Sequence, residues 1–264
     1  MTKAQNDFIS RVDGCDNQVL DSREFSTWYH PDDIYRIAYQ TYKNQLQDNE
    51  IHIHLPVMVL GSESHGFEDK MAFCLEYLQF SEKQILPFMI APEIGAVHFM
   101  SGFIRINQTD DKPYPEIFLF NPTGYTKLSA SKRLSIQNMD SVANMVMHVS
   151  SLQIQTIDKD QVENQKSPSL VSCGPISLMF IEYILKNPNY ALQLDDSFEL
   201  PIQISQLGTM DKMEYQQTVN IQRQVHYELL GRMSDEILDE VDGFHYDFTE
   251  QFFNQDITWG DTYQ

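Results

Sequence analysis

The sequence predicts an α+β chain: a small mixed β-sheet, a central helix packed on it and further helices on the flanks. Two observations carry that expectation. Strand-sized apolar runs at 84–91, 97–106 and 116–120 are separated by short polar or turn-forming stretches. Residues Ile176, Met179, Phe180, Tyr183 and Ile184 then recur at helical period directly after Cys173-Gly174-Pro175.

In chain order, residues 1–24 are polar and without pattern, which predicts a loose lead-in ahead of a core over 25–188. Ile34, Ile37, Ala38 and Tyr42 share one helical face behind Asp32 and Asp33, which suit a first helical turn. Trp28, just before that helix, reads as a core anchor or as one wall of a substrate groove. His52 and His54 alternate with Ile51, Ile53 and Leu55 at strand period, but no third ligand follows at metal-site spacing, so no metal is expected. Cys74 falls on the apolar stripe of a helix expected over 67–80.

Pro87 predicts a sheet-edge position for the strand at 84–91. A strand entered at His98 follows, then a hairpin loop and a strand that ends on Asn121-Pro122-Thr123-Gly124. The entry of one hairpin strand neighbours the exit of the next, so His98 and Asn121 can meet. Residues 129–148 read as helical and 151–157 as strand. After Asn187-Pro188 the composition changes: 189–264 is an acidic, partly helical extension, packed on or beside the core.

Composition narrows the function. Hydrophobic residues make up 42% and aromatics 12%, which excludes wholesale disorder. With 18 Lys and Arg against 38 Asp and Glu, the net charge of −20 disfavours nucleic acid and anionic membranes and favours a neutral or basic protein partner. The expected state is a monomer. Cys15, Cys74 and Cys173 are too few and scattered for a disulfide framework, so a reducing compartment is the default. No apolar run approaches the about 18 residues that cross a bilayer.

The chemistry centres on Cys173. A thiol at the start of a helix has its pKa lowered by the unpaired N–H groups and dipole of the first turn. Pro175 suits that turn because it lacks an N–H and presets φ. Gly174 is expected to let a substrate backbone approach the sulfur. A buried structural cysteine is the plain alternative for this stretch taken alone. Nucleophilic catalysis also needs an imidazole, a group that orients it and an oxyanion donor.

The chain offers His98, Asn121 and Cys173 in that order, at strand entry, strand exit and helix start. With Trp28 before Asp32-Asp33-Ile34, and Cys173-Gly174-Pro175 running on to Ile181-Glu182-Tyr183, residues 28–187 resemble the CE-clan cysteine peptidases, the sentrin/SUMO-specific and adenain-like enzymes with their bacterial-effector relatives. The resemblance implies a papain-like/adenain-like core, with Cys173 as nucleophile, His98 as general base and later acid, and Asn121 as orienting group. Family members usually carry Asp or Glu at the third station; asparagine accepts an imidazole N–H but adds no charge. Glu116 and Asp111 are spare carboxylates nearby, Glu116 at the wrong end of its strand. The family's oxyanion glutamine would fall at Ser167; the nearest glutamine, Gln165, reaches that place only through a bulge. Phe99 stands where the family more often has tryptophan, and Trp28, Phe99 and Gly174 are the expected substrate walls.

The first functional expectation is an isopeptidase that removes ubiquitin or a ubiquitin-like modifier without a cofactor, acting as a secreted bacterial effector in a host cytosol. The second follows from a likeness to YopJ-type acyltransferases, seen in His98-Phe99 and Leu119-Phe120-Asn121-Pro122. These move an acetyl group from acetyl-CoA to Ser, Thr or Lys and need an inositol polyphosphate. Dispersed basic residues weigh against that chemistry. The third is a catalytically weak binding module.

Overall fold

The computed structural model describes residues 1–13, 29–49, 53–60, 74, 75, 78, 83–91, 99–107, 114–122, 132–136, 143–152, 172–195 and 197–246. Helices α1 (Lys3–Asp13) and α2 (Pro31–Asn49) come first. Six strands follow: β1 (Val57–Leu60), β2 (Ile85–Ala91), β3 (Met100–Asn107), β4 (Tyr114–Asn121), β5 (Lys132–Ile136) and β6 (Ala143–Ser151). The chain continues with α3 (Cys173–Lys186), α4 (Pro188–Gln193), α5 (Ile202–Ser205), a 3-10 turn (Gln206–Gly208), α6 (Lys212–Leu230) and α7 (Asp235–Tyr246). The fold is α+β, as the alternation of periods predicts.

The strands form one mixed sheet in the order β1-β2-β3-β4-β6-β5. Its centre is the antiparallel hairpin of β3 and β4, registered from Ser101↔Phe120 to Asn107↔Tyr114. A Cβ on Gly102 would lie 2.2 Å from the Phe118 carbonyl oxygen and 2.7 Å from Phe88 Cζ, so only glycine fits there. The apolar helix α3 packs against β2, β3 and β4 on one side and against α2 and α6 on the other.

The structure departs from expectation in four places. The polar lead-in contains α1, whose Ala4 and Phe8, one turn apart, are buried. Phe8 meets the Tyr29 ring edge-on at 5.3 Å, an anchor that only tertiary packing reveals. Pro87 lies in an interior strand, between β1 and β3, instead of at an edge; the ladder to β1 begins one residue later, at Val57↔Phe88. Most of 129–148 is β5 and β6 where a helix is expected, because β6 gains a parallel partner in β4 over Glu116↔Val146 to Asn121↔Ser151. Short apolar runs do not settle helix against strand without such a partner. The strand expected over 151–157 ends at Ser151, with 153–157 outside the described residues.

The region after Pro188 shares the main core. Ile204, Leu207, Val219, Leu230, Leu238 and Val241 belong to the same buried cluster as Ile34, Phe103 and Phe180. A guanidinium ties the ends of the chain together: Arg36 donates from Nε and Nη2 to the two Asp242 oxygens at 2.9 and 2.7 Å, and from Nη1 to Asp7 at 3.2 Å. Asp242 holds Arg36 cationic against the opposing effect of burial. Cys74 is helical and buried, its thiol pushed up to about 12 by burial, which suits a core residue. Among the described residues no helix is long and apolar enough to cross a membrane.

A second polar cluster braces the sheet interior. Arg105 Nε donates to Glu116 Oε2 at 2.7 Å, and its Nη1 donates to the carbonyls of Ala191 and Leu192 at 2.8 and 3.1 Å. His148 Nε2 lies 3.2 Å from Glu116 Oε1. Burial raises the Glu116 pKa, but hydrogen bonds from His148 and Arg105 more than offset it and hold the carboxyl below its ordinary value. Glu116 is therefore committed to structure and is not a spare carboxylate for the expected site.

Candidate active site

Cys173 is the first residue of α3 and is 1% exposed. Ser172, the N-cap, makes no side-chain bond to the helix's N–H groups. The first turn therefore keeps N–H groups directed toward the sulfur's end of the helix. Burial pushes the thiol up to about 11, while the Phe99 and Gly174 backbones and the Arg223 charge pull the other way. A backbone contact that favours thiolate is an N–H donor, so Phe99 presents its amide to Sγ. Ser177 Oγ, one turn into α3, donates to the Phe99 carbonyl at 3.2 Å. Phe99 is thus stapled across the mouth of α3.

The strand register sets the rest of the site. β3 begins where β4 ends, and Asn121, 1% exposed, is the last residue of β4. Its carbonyl accepts the Leu152 N–H at 3.1 Å, which fixes the strand exit beside β6. Cys173, Phe99 and Asn121 consequently occupy the same end of the sheet. Trp28, His98 and Gln165 lie outside the described residues. His98 is nonetheless joined by one peptide bond to the residue whose amide meets the sulfur.

Two expected substrate walls are placed in the interior. Phe99 is 4% exposed and belongs to the hydrophobic core. A Cβ on Gly174 would lie 3.0 Å from Tyr29 Cβ and 3.4 Å from Ile34 Cδ1. The glycine lets Tyr29 pack on the helix start, a role different from opening the sulfur to a substrate backbone.

Behind the thiol lies a polar layer that sequence reasoning missed. The Tyr29 hydroxyl is hydrogen-bonded to His226 Nδ1 at 2.8 Å, and His226 Nε2 lies 3.2 Å from Glu182 Oε1. Gln222 donates to the other Glu182 oxygen at 2.9 Å. Burial pushes Glu182 up, but His226 foremost, with Lys186 and Gln222, brings it below the ordinary carboxylate value. Burial keeps Tyr29 protonated and hence a donor. Arg223 Cζ stands 5.0 Å from the Tyr29 ring centroid. Tyr215, Val219, Arg223, His226 and Leu230 form the buried face of α6, a helical spacing in which polar residues sit on an apolar stripe. That mixture was the available signal.

No family model matches this chain, and no curated protein matches it. Among solved structures, one of AvrA delL154 with IP6 and CoA aligns over 84% of this chain and 80% of AvrA, at 10% identity and a TM-score of 0.44.

Proposed function

We propose that the chain is a cysteine acyl-transfer enzyme in which Cys173 carries the acyl group as a thioester. The observation that supports it most is the Phe99 amide at the sulfur, because it brings the backbone next to His98 to the nucleophile. In this reading His98 takes the thiol proton and the thiolate attacks the donor carbonyl. The leaving group departs with that proton, and a second nucleophile then attacks the thioester, regenerating the thiol. Asn121 orients the imidazole, while α3 N–H groups and Gln165 supply the oxyanion donors.

For the acceptor we place a protein Ser, Thr or Lys first, with acetyl-CoA as donor. The YopJ-type wording supports it: Phe99, Leu119, Phe120, Asn121 and Pro122 are all buried at this end of the hairpin. A two-carbon acyl group also asks for less room beside an enclosed sulfur than a modifier's extended tail. The isopeptidase reading comes second, favoured by the net charge of −20, which attracts a basic-rimmed modifier. Arg36, Arg105 and Arg223 lie in the interior and add nothing to a phosphate-binding surface, which also favours it. In either reading the protein acts as a secreted bacterial effector in a host cytosol.

The test has two arms. Labelled acetyl-CoA with IP6 is expected to acetylate Cys173 and then the protein itself, while Cys173→Ala stays unlabelled. A ubiquitin or ubiquitin-like probe with a C-terminal electrophile that forms an adduct, without acetylation, would reverse the order of the two readings. Silence in both arms would remove the enzyme proposal and leave the binding module.

A further inference from the structure

Helix α6 carries apolar residues on two sides. Its inner face, formed by Tyr215, Val219, Arg223, His226 and Leu230, is buried. Its outer face is apolar where exposure to water ordinarily brings charge. Met213 and Ile221 are each 66% exposed and Val225 is 46% exposed. With Met1 and Ile202 these are the exposed large hydrophobics among the described residues, so three of the five lie on one helix. Ile221 and Val225 are one turn apart and Met213 lies two turns before Ile221, all within about a third of the helix circumference. Gln217, exposed between them, is uncharged. From Tyr215 to Tyr227 the sole Asp, Glu, Lys or Arg is Arg223, which is buried. Exposed apolar side chains mean little singly; a stripe of them on one face marks a contact surface.

Carboxylates close both ends of the stripe. Glu214 and Glu228 are exposed on the same side of α6 as Ile221, about 21 Å apart at 1.5 Å per residue. Gln224 donates to Glu228 at 2.8 Å, and among the described residues neither carboxylate is ion-paired. We propose that the outer face of α6 docks a basic amphipathic helix of a partner protein. The partner's apolar residues cover Met213, Ile221 and Val225, and its Lys or Arg side chains meet Glu214 and Glu228. A helix suits the face because its own ridges repeat by turns, as the stripe does. Charge selects this occupant over others. A second copy brings another net charge of −20, and an antiparallel pair centred on Ile221 sets Glu214 of one copy against Glu228 of the other. Residues 247–264 of this chain carry four acids and no Lys or Arg. Anionic membranes are repelled likewise. The proposal does not depend on the acyl-transfer reading, because none of these residues takes part in that chemistry.

The experiment reads fluorescence anisotropy of a labelled Leu/Lys peptide of about 18 residues, with Leu on one helical face, against the full chain. Two peptides of equal length are controls: Leu/Glu in the same pattern, and Lys/Gln without an apolar face. The wild-type chain is expected to bind the Leu/Lys peptide and neither control. Ile221→Gln combined with Val225→Gln is expected to weaken that binding about tenfold. Glu214→Gln combined with Glu228→Gln is expected to weaken it and to flatten its dependence on salt. Asp235→Asn combined with Glu236→Gln removes the same charge from an exposed turn of α7 and is expected to leave the affinity at the wild-type value. Every substituted residue is exposed, so the variants are expected to melt with the wild type.

Equal binding of the Leu/Lys peptide by wild type and variants, equal binding of either control peptide, or no binding at all would overturn the proposal. Sedimentation of the full chain supplies a further outcome. A wild-type chain that dimerises, beside an Ile221→Gln, Val225→Gln chain that does not, would give the face to a second copy and refute a basic partner. Cys173→Ala is expected to bind the peptide as the wild type does, so this surface and the proposed chemistry stand or fall separately.

Discussion

The two ends of β4 carry buried polar groups of opposite character. Near its start, Glu116 faces Arg105 and His148, and the guanidinium also satisfies two carbonyls at the end of α4. Charge is matched there within hydrogen-bonding distance, and Phe118 is stacked between Phe103 and His148 at 4.7 and 4.6 Å. At the other end, Asn121 is neutral, and burial pushes the nearby Cys173 thiol up to about 11. A closed ion network holds a sheet together. A buried thiol keeps its proton until a base removes it.

This contrast can be broken by experiment. The largest effect is expected from Cys173→Ala, which in the proposed chemistry takes acyl transfer or probe labelling to background while the melting transition stays cooperative. Activity surviving in that variant would move the chemistry elsewhere. Next, Glu116→Ala leaves Arg105 and His148 buried without their anion and is expected to destabilise by about 3–5 kcal/mol in urea unfolding. Its effect on Cys173 alkylation should be small, since it acts at the structural end. Gly102→Ala forces a Cβ against the Phe118 carbonyl and is expected to cost about 3 kcal/mol through strain in the hairpin.

A pH series sharpens the same division. Glu116 and Glu182 are both held below the ordinary carboxylate value of 4.5. Their stabilisation is therefore complete above that value and is lost as pH falls through their depressed folded-state values. Acid unfolding should be shallower in Glu116→Gln than in the wild type, starting from a lower plateau. The smallest effect is expected at the chain-end clamp. Asp242 is 34% exposed, so Asp242→Asn should lower stability by only about 1 kcal/mol.

Much of this was readable before any coordinates. Helix α2 announces itself by Pro31, two first-turn aspartates and a clean apolar face, and α3 by Pro175 and its periodic residues. Strands β2, β3 and β4 follow from apolar runs with turn residues at their ends. The missing pieces depend on partners distant in sequence. Residues 143–151 are strand because β4 offers them a ladder, and Phe8 is core because Tyr29 receives it. Gly174 reads as an opening to the sulfur until Tyr29 occupies its open side. Arg223 gives no sign of its place from sequence spacing alone, because nothing in the chain shows that α6 turns its polar-bearing face to the start of α3.

The proposed chemistry requires residue 98 to face the nucleophile, and a crosslink tests that directly. In a Cys15→Ser background, His98→Cys supplies a second sulfur on the residue joined by one peptide bond to Phe99, whose amide meets Cys173. Disulfide geometry demands Cα atoms within about 7 Å. Mild oxidation of the folded chain should give a peptide pair linked between positions 98 and 173, lost with Cys173→Ala. If both thiols stay unlinked in the folded chain, yet join once it is unfolded, residue 98 does not stand at the helix mouth and the acyl-transfer mechanism fails.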